Sequence, residues 1–321
     1  MSPDATRPAT SPTPRARAGA HRTRAVGGLL VAIFSGALHA HAALGSGPKG
    51  PGNPTGDGVA ALCADWVRRL PNLNAELCRS AALQPGPARS VQGRPIVLRD
   101  LPAPQARLRV LVVGGMHGDE LSSTSVALHW LRLAREGGFR LPEPVHWRFI
   151  PALNPDGLAA QPPRRVNARG VDLNRNFPTP NWAREAPDYW DHRTRRDPRR
   201  WPGPQPLSEP ESRYLHDEMK RFHPQLIVSV HAPFGVLDFD GPVTPPARLG
   251  RLYLDQVGIY PGSLGNYGGV HQGIPVVTVE LPHALRTPQD GEMRQMWVDL
   301  LRWMSERLMN PPLAPPEHRP G

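Results

Sequence analysis

The chain has 321 residues, enough for one large domain and a tail. Its hydrophobic content of 39% is that of an ordinary globular protein, and its 41 prolines and 31 glycines indicate many loops. The net charge of +10 favours an anionic partner, such as nucleic acid, a membrane surface or an acidic polymer, unless the excess of arginine only reflects codon usage. No nucleic-acid-binding module accompanies the charge, which argues against a nucleic-acid partner.

The first 42 residues have the pattern of an export signal. A basic stretch from Arg15 to Arg24 precedes an apolar stretch from Ala25 to Leu38 and the small-x-small pattern Ala40-His41-Ala42. Because the apolar stretch is too short to span a membrane comfortably, we expect a signal peptide cleaved near Ala42. The alternatives are an uncleaved anchor and a disordered tail. A cleaved signal predicts a periplasmic or secreted protein with no stable membrane insertion.

Residues 43–89 are assigned to a Gly/Pro-rich linker and an N-terminal extension that holds the two cysteines of the chain, Cys63 and Cys78. Residues 59–69 and a short piece around Cys78 have helical periodicity. An even number of cysteines in an exported chain predicts one disulfide, worth about 3 kcal/mol for so short a loop. The alternative is two free buried thiols.

From Ser90 onward, segments with strand and helix patterns alternate. The predicted strands are 95–99, 108–113, 145–150, 226–230 and 276–281, and the predicted helices are 121–135, 209–221 and 292–309. This alternation predicts an α/β fold over residues 90–310, with a single mixed, mostly parallel sheet flanked by helices, followed by a Pro-rich tail, 311–321. The run from Arg193 to Arg200 is predicted to be a solvated insertion, with a contact to substrate as the alternative.

Three chemically capable side chains are predicted to meet at one edge of this sheet. His117 and His231 each follow an apolar strand, and Glu280 lies late in another. In such sheets, ligands bind beyond the carboxyl ends of the strands. An acidic residue in the apolar strand around Glu280 is costly unless it is functional or paired in a salt bridge.

His117 and Glu120 have the spacing of a metal-binding pair, because residues three apart lie on one side of a helical turn. With His231 they form a two-histidine, one-carboxylate set, which suits a catalytic Zn²⁺ with one open position. The alternatives are a glutamate that caps a helix and a histidine of the core.

Four motifs together resemble the zinc metallocarboxypeptidase family, of the funnelin type, over the stretch from Ser90 to Trp303. They are His117-Gly118-Asp119-Glu120, Gly170-Val171-Asp172-Leu173-Asn174-Arg175-Asn176-Phe177, Ser229-Val230-His231 and Val279-Glu280-Leu281. The resemblance implies a metallocarboxypeptidase-like fold and one Zn²⁺ bound by His117, Glu120 and His231.

The same resemblance implies roles for residues around the metal. Asp172 matches a carboxylate that braces the first histidine. Glu280 matches the general base. Arg165 matches the arginine that stabilises the oxyanion, although Arg164 beside it leaves the register open by one residue.

Substrate binding is also implied by the resemblance. Asn174 and Arg175 match a pair that clamps a free carboxylate of the substrate, and Tyr260 matches a mobile tyrosine that caps it. Two features depart from the digestive enzymes: Asp119 stands where they have an arginine, and Ala232-Pro233-Phe234 replaces hydroxyl-bearing residues.

Within the family, the motifs look closest to bacterial murein peptide amidases, which cut the bond between γ-D-glutamate and meso-diaminopimelate in peptidoglycan peptides. The motifs concerned are His117-Gly118-Asp119-Glu120, Asn154-Pro155-Asp156-Gly157, Asn174-Arg175-Asn176-Phe177-Pro178, Asn181-Trp182 and Pro261-Gly262-Ser263. This resemblance implies an exported zinc peptidase whose substrates are peptidoglycan peptides.

Three alternatives stay open. A general secreted carboxypeptidase acting on L-peptides would fit if Asp238, Asp240 and Asp255 line a pocket for a cationic side chain. A zinc deacylase of N-acyl amino acids would use the same carboxylate clamp. A wall-binding protein that keeps the fold without the chemistry is the third.

Overall fold

A computed structural model describes residues 56–137 and 141–310. The predicted signal peptide, residues 1–42, the linker up to residue 55 and the Pro-rich tail, 311–321, lie outside the described residues. Within the two described stretches, no helix has both the length and the apolar character needed to cross a membrane.

Seven strands form the main sheet. They are β1 (Gln84–Arg89), β2 (Pro95–Leu101), β3 (Leu108–Val113), β4 (Val145–Ile150), β5 (Leu226–His231), β6 (Val236–Asp240) and β9 (Val276–Glu280). Two further strands, β7 (Arg248–Leu249) and β8 (Leu252–Tyr253), pair with each other. Across the main sheet the order is β1-β2-β4-β3-β5-β9-β6.

The helices are α1 (Gly56–Arg69), α2 (Ala75–Ser80), α3 (Leu121–Glu136), α4 (Pro155–Ala159), α5 (Trp182–Asp188), α6 (Pro210–Phe222) and α7 (Asp290–Met304). Shorter helical turns cover Leu173–Arg175, Tyr189–Arg193, Pro198–Arg200, Gly265–His271 and Ser305–Met309. α3 ends where Gly137 adopts a left-handed conformation with φ 64°, which is the usual way for a helix to end at glycine.

The predicted mixed α/β sheet flanked by helices is confirmed, but it is not mostly parallel: the three pairings at its centre are parallel, and the three toward its edges are antiparallel. Strands β4, β3, β5 and β9 run parallel, whereas β1, β2 and β6 at the two edges pair antiparallel. All six residues of β5 are buried, because helices cover both faces of the central strands. That is why these strands appear in the sequence as continuous apolar runs.

The core has two parts, one on each face of the sheet. Alternate residues of β3 point to opposite faces, so that Val110 and Val112 join the cluster that contains residues of α3 and α7. Leu111 and Val113 join the cluster that contains residues of α6. The sheet is therefore held between helical layers, and its strand ends are left to form the site.

Residues 56–89 pack onto the same core. Trp66 and Leu77 belong to the cluster on the α3 side of the sheet, and β1 pairs with β2 as the outermost strand. Cys63 and Cys78 are joined in a disulfide, in agreement with the prediction, and their Cα atoms lie 5.7 Å apart. The sequence pattern did not reveal β1, because its prolines are typical of a loop and are tolerated only in an edge strand.

Candidate active site

Three buried side chains meet at the carboxyl edge of the sheet. His117 lies in the loop after β3, Glu120 directly precedes α3, and His231 is the last residue of β5. The carboxylate oxygens of Glu120 lie 2.7 Å from His117 Nδ1 and 3.0 Å from His231 Nδ1, and the two Nδ1 atoms are 3.1 Å apart. Parallel pairing of β3 with β5 brings the two histidines together.

The donor set fits a divalent metal ion. His117 lies between two carboxylates, with Nε2 3.0 Å from Asp172 Oδ1 and Nδ1 2.7 Å from Glu120 Oε1. Nδ1 faces Glu120 and His231, so a metal ion bound there would leave the imidazole proton on Nε2, where Asp172 can accept it. One ligand atom from each of the three residues lies within 4.8 Å of the others, and the N, N, O set is one that zinc prefers.

The alternative assignment of Glu120 as a helix cap does not match the geometry. Its backbone occupies the cap position of α3, but its side chain makes no capping hydrogen bond. The carboxylate instead turns toward the histidines and accepts from the backbone N–H of Ala232 at 3.2 Å. The loop that carries it needs Gly118, because a Cβ there would collide with the backbone of Gly157.

Arg165, rather than Arg164, reaches the cluster. Its Nε and Nη2 donate to Asp172 Oδ2 at 3.1 and 3.0 Å, and its Nη1 lies 3.4 Å from Glu120 Oε1. Arg164 is exposed to solvent. Burial favours the neutral form of Asp172, but Arg165 and His117 outweigh it and hold the pKa of this carboxyl well below its usual range. Asp172 is therefore an anion that orients both His117 and Arg165.

Beside the cluster lies a cavity of roughly 140 Å³ that collects most of the residues singled out in the sequence. Those in its lining are His117, Arg165, Asn174, Arg175, Tyr260 and Glu280. Glu280 ends β9 directly opposite His231 of β5. Its Oε2 is buried and has no hydrogen-bond partner among residues 56–137 and 141–310, and burial raises the pKa of this carboxyl even though His231 partly offsets the effect.

Arg175 occupies the other side of the cavity and is only 5% exposed. Its Nη1 donates to the Asn174 carbonyl oxygen at 2.6 Å, and its guanidinium carbon lies 4.5 Å from the centre of the Tyr260 ring. Its Nε is buried and finds no hydrogen-bond partner in the part of the chain that the structure describes. Gly262 allows this packing, because a Cβ there would collide with the Arg175 carbonyl oxygen. Asn174 Oδ1 accepts from the Leu264 N–H at 2.8 Å, which joins the two loops.

The cavity also contains charged residues whose place the sequence left open. Asp238 and Asp240 line it, whereas Asp255 is exposed and does not. Of the run from Arg193 to Arg200, the predicted solvated insertion, only Arg200 lines the cavity. Phe234 at the rim is 60% exposed. No sequence pattern distinguishes Arg200 from the other arginines of its run.

Comparison with known proteins agrees with this architecture. A family model described as zinc carboxypeptidase matches residues 75–237. Murein peptide amidase A of Escherichia coli K12 is 31% identical over 231 residues, which cover 70% of this chain and 91% of that protein. The protein of the same name from Vibrio campbellii is 34% identical over 203 residues, covering 60% of this chain and 77% of the relative.

Among solved structures, murein-tripeptide amidase from Escherichia coli O157 is 28% identical, with a TM-score of 0.48, and the match covers 67% of this chain and 90% of that one. Carboxypeptidase A from Helicoverpa armigera shares the fold at 16% identity and a TM-score of 0.55, over 75% of this chain and 69% of its own. The family match and the extended similarity to a curated relative lead to one conclusion. This chain belongs to the zinc carboxypeptidase family and is a metallopeptidase of the hydrolase class.

Proposed function

We propose that the protein is an exported zinc peptidase that cuts the bond between γ-D-glutamate and meso-diaminopimelate in peptidoglycan peptides. One observation carries the proposal: the buried His117, Glu120 and His231 cluster adjoins a cavity that also holds Glu280 and the guanidinium of Arg175, whose Nε has no hydrogen-bond partner among the described residues. The relatives named murein peptide amidase support the choice of substrate.

His117, Glu120 and His231 would hold one Zn²⁺ between them. When bound, zinc supplies a Lewis acid that polarises the scissile carbonyl and lowers the pKa of a water molecule toward neutrality. Asp172 keeps the Nδ1 lone pair of His117 available by accepting the proton on Nε2.

Glu280 acts as the general base. Its unpartnered Oε2 takes a proton from the attacking water and then delivers it to the leaving nitrogen. Arg165, fixed by its two hydrogen bonds to Asp172, presents positive charge where negative charge develops on the carbonyl oxygen. Because both groups are positioned before substrate binds, little reorganisation is needed during the reaction.

Arg175 binds the free carboxylate beside the scissile amide. A buried guanidinium with an unpaired N–H is costly unless an anion meets it, and a carboxylate accepts from guanidinium with two oxygens. Tyr260 packs on the guanidinium and shields this end of the cavity from water. A free carboxylate at this position favours trimming of a terminal residue over internal cleavage.

Two features support a substrate in the cell wall. meso-Diaminopimelate at the end of a wall tripeptide presents a free carboxylate beside its amide nitrogen. Export would bring the protein to that polymer, and a net charge of +10 would favour its approach to an anionic wall. A carboxypeptidase for basic L-residues is the second candidate, favoured by Asp238 and Asp240 in the cavity.

The test compares two tripeptides with the sequence L-Ala-γ-D-Glu-meso-diaminopimelate, one intact and one with the carboxylate next to the cut converted to an amide. Mass spectrometry of products from the purified protein should show release of diaminopimelate from the intact peptide, and release from the amide should be about 100-fold slower. Equal cleavage of the two would contradict binding of the free carboxylate, and faster cleavage of ordinary L-peptides that end in lysine or arginine would favour the second candidate.

Arg175→Ala is expected to lower kcat/KM on the intact tripeptide by about 2 to 4 kcal/mol in transition-state free energy, since a buried charge-assisted contact is lost. On the amidated tripeptide, the variant and the unmodified protein should differ little, because the amide no longer presents the charge. Arg193→Ala is the matched control, an exposed arginine that does not line the cavity. Equal losses on both peptides would contradict the clamp.

A further inference from the structure

The cavity contains two charged elements that the proposed reaction does not use. One is Arg200, and the other is the carboxylate pair Asp238 and Asp240. Arg175 would fix the carboxylate on the backbone of the leaving residue, so the side chain of that residue has to lie in the rest of the cavity. The charges found there therefore decide which side chain is accepted.

The carboxylate pair lies along one wall. Val236 pairs with Glu280 and Asp238 pairs with Thr278, so Asp238 lies two residues along β6 from the level of Glu280. Asp240 lies two residues further on the same face of the strand. Two residues of a strand rise about 6.6 Å, roughly the length of a long side chain. Asp238 is thus placed near the far end of a side chain whose amide nitrogen lies near Glu280, and Asp240 lies one further step along the strand.

Asp240 has no cation beside it. Within the described part of the chain, its carboxyl takes part in no ion pair or hydrogen bond, and burial together with Asp238 raises its pKa to about 6. Asp238 accepts a backbone N–H from Phe239 at 2.9 Å. Half-buried carboxylates without a counter-charge suit a ligand that brings an ammonium group.

Arg200 is fixed at the cavity by its neighbours in the chain. The Trp201 carbonyl oxygen accepts the backbone N–H of Asp172 at 2.8 Å, and Arg199 Nη2 donates to Asp119 Oδ2, also at 2.8 Å. These contacts hold the segment against the loops that carry the metal-ligand candidates. Among the described residues, the Arg200 side chain forms one ion pair, with Asp197 at 3.5 Å.

Arg200 and Asp238 line the same cavity as Tyr260. Burial raises the pKa of Tyr260, and the charges of Arg200 and Asp238 act on that pKa in opposite directions. A ligand in this cavity therefore meets a cation and an anion, while the guanidinium of Arg175, whose Nε has no hydrogen-bond partner among the described residues, is available for the first carboxylate.

On the basis of the proposed function, we propose that Arg200 binds a second carboxylate, at the far end of the leaving residue's side chain. Asp238 and Asp240 bind the ammonium group on the same carbon as that carboxylate. meso-Diaminopimelate has such a terminus, whereas lysine has the ammonium group alone. Arg200 then selects diaminopimelate over lysine, and the carboxylate pair tolerates both.

The test measures kcat/KM on two tripeptides, L-Ala-γ-D-Glu-meso-diaminopimelate and L-Ala-γ-D-Glu-L-Lys. The unmodified protein should prefer the first by about tenfold or more, the value of one charge-assisted contact. Arg200→Gln should bring the ratio close to one, through a loss on the diaminopimelate peptide alone. Arg193→Gln, which removes the same charge from the same segment, should leave the ratio unchanged. Equal losses on both peptides in Arg200→Gln, or an unchanged ratio, would overturn the proposal.

Binding of the free amino acids separates this proposal from the proposed function. Calorimetry with meso-diaminopimelate and with L-lysine does not depend on which bond is cut. Arg200→Gln should weaken binding of diaminopimelate by about tenfold and leave that of lysine unchanged. A second outcome is that Arg200→Gln loses the discrimination in calorimetry while the unmodified protein cleaves neither tripeptide. That outcome would support the role of Arg200 and refute the bond assignment. If the unmodified protein cleaves the tripeptides but distinguishes diaminopimelate from lysine in neither assay, only the role of Arg200 is refuted.

Discussion

Glu280→Gln is expected to lower kcat on the wall tripeptide by about 10²- to 10⁴-fold while metal content stays unchanged. Glutamine keeps the shape of the side chain but cannot take a proton from water at Oε2. That oxygen is buried in the cavity without a partner, so no neighbouring group replaces it. Glu280 lies outside the group of His117, Glu120 and His231, so its substitution leaves the donor set intact.

Initial rates and elemental analysis of the same preparation would check this prediction. Glu76→Gln is the control, because Glu76 is exposed on α2 and lines a different cavity from the one that holds Glu280. Ordinary turnover in Glu280→Gln would remove the general base from the proposed mechanism. Loss of metal together with activity would assign Glu280 to the metal centre instead.

His231→Ala is expected to reduce bound zinc from about one ion per chain to near zero and activity to background, because two donors rarely hold zinc in a protein. The imidazole of His231 contacts both remaining members of the cluster, at 3.0 Å to Glu120 and 3.1 Å to His117. Its removal also takes one contact from the buried Glu120 carboxylate. His117→Ala is expected to behave in the same way.

Metal analysis after dialysis would measure the effect, with circular dichroism to show that the variant is folded. His271→Ala serves as the control, since His271 is exposed to solvent. A folded His231→Ala protein that keeps stoichiometric zinc would contradict the proposed ligand set.

The candidate metal ligands could be predicted from the sequence because the patterns that identify them are local. His117 and Glu120 lie three residues apart on one turn, and His231 and Glu280 each end an apolar strand. Chain direction in a parallel sheet then places such strand ends at one edge. The structure brings all four side chains together, with His231 and Glu280 opposite each other in neighbouring strands.

The choice between Arg164 and Arg165 needed the tertiary structure, because two adjacent arginines have the same local signal. The carbonyl oxygen of Arg165 accepts from the Gly118 N–H at 3.3 Å and from Asn154 Nδ2 at 3.1 Å, two groups on other loops. These contacts fix the direction of the backbone, so that one arginine faces Asp172 and its neighbour faces solvent.

The sequence by itself determined the family, the alternation of strands and helices, and the residues whose function depends on local spacing or on strand ends. The tertiary structure decided which charges line the substrate cavity. Arg200 and the pair Asp238 and Asp240 meet there from segments about forty residues apart, and the Asp119–Arg199 contact spans 80 residues. Such contacts depend on how loops pack after the sheet has formed, and no periodicity along the chain records them.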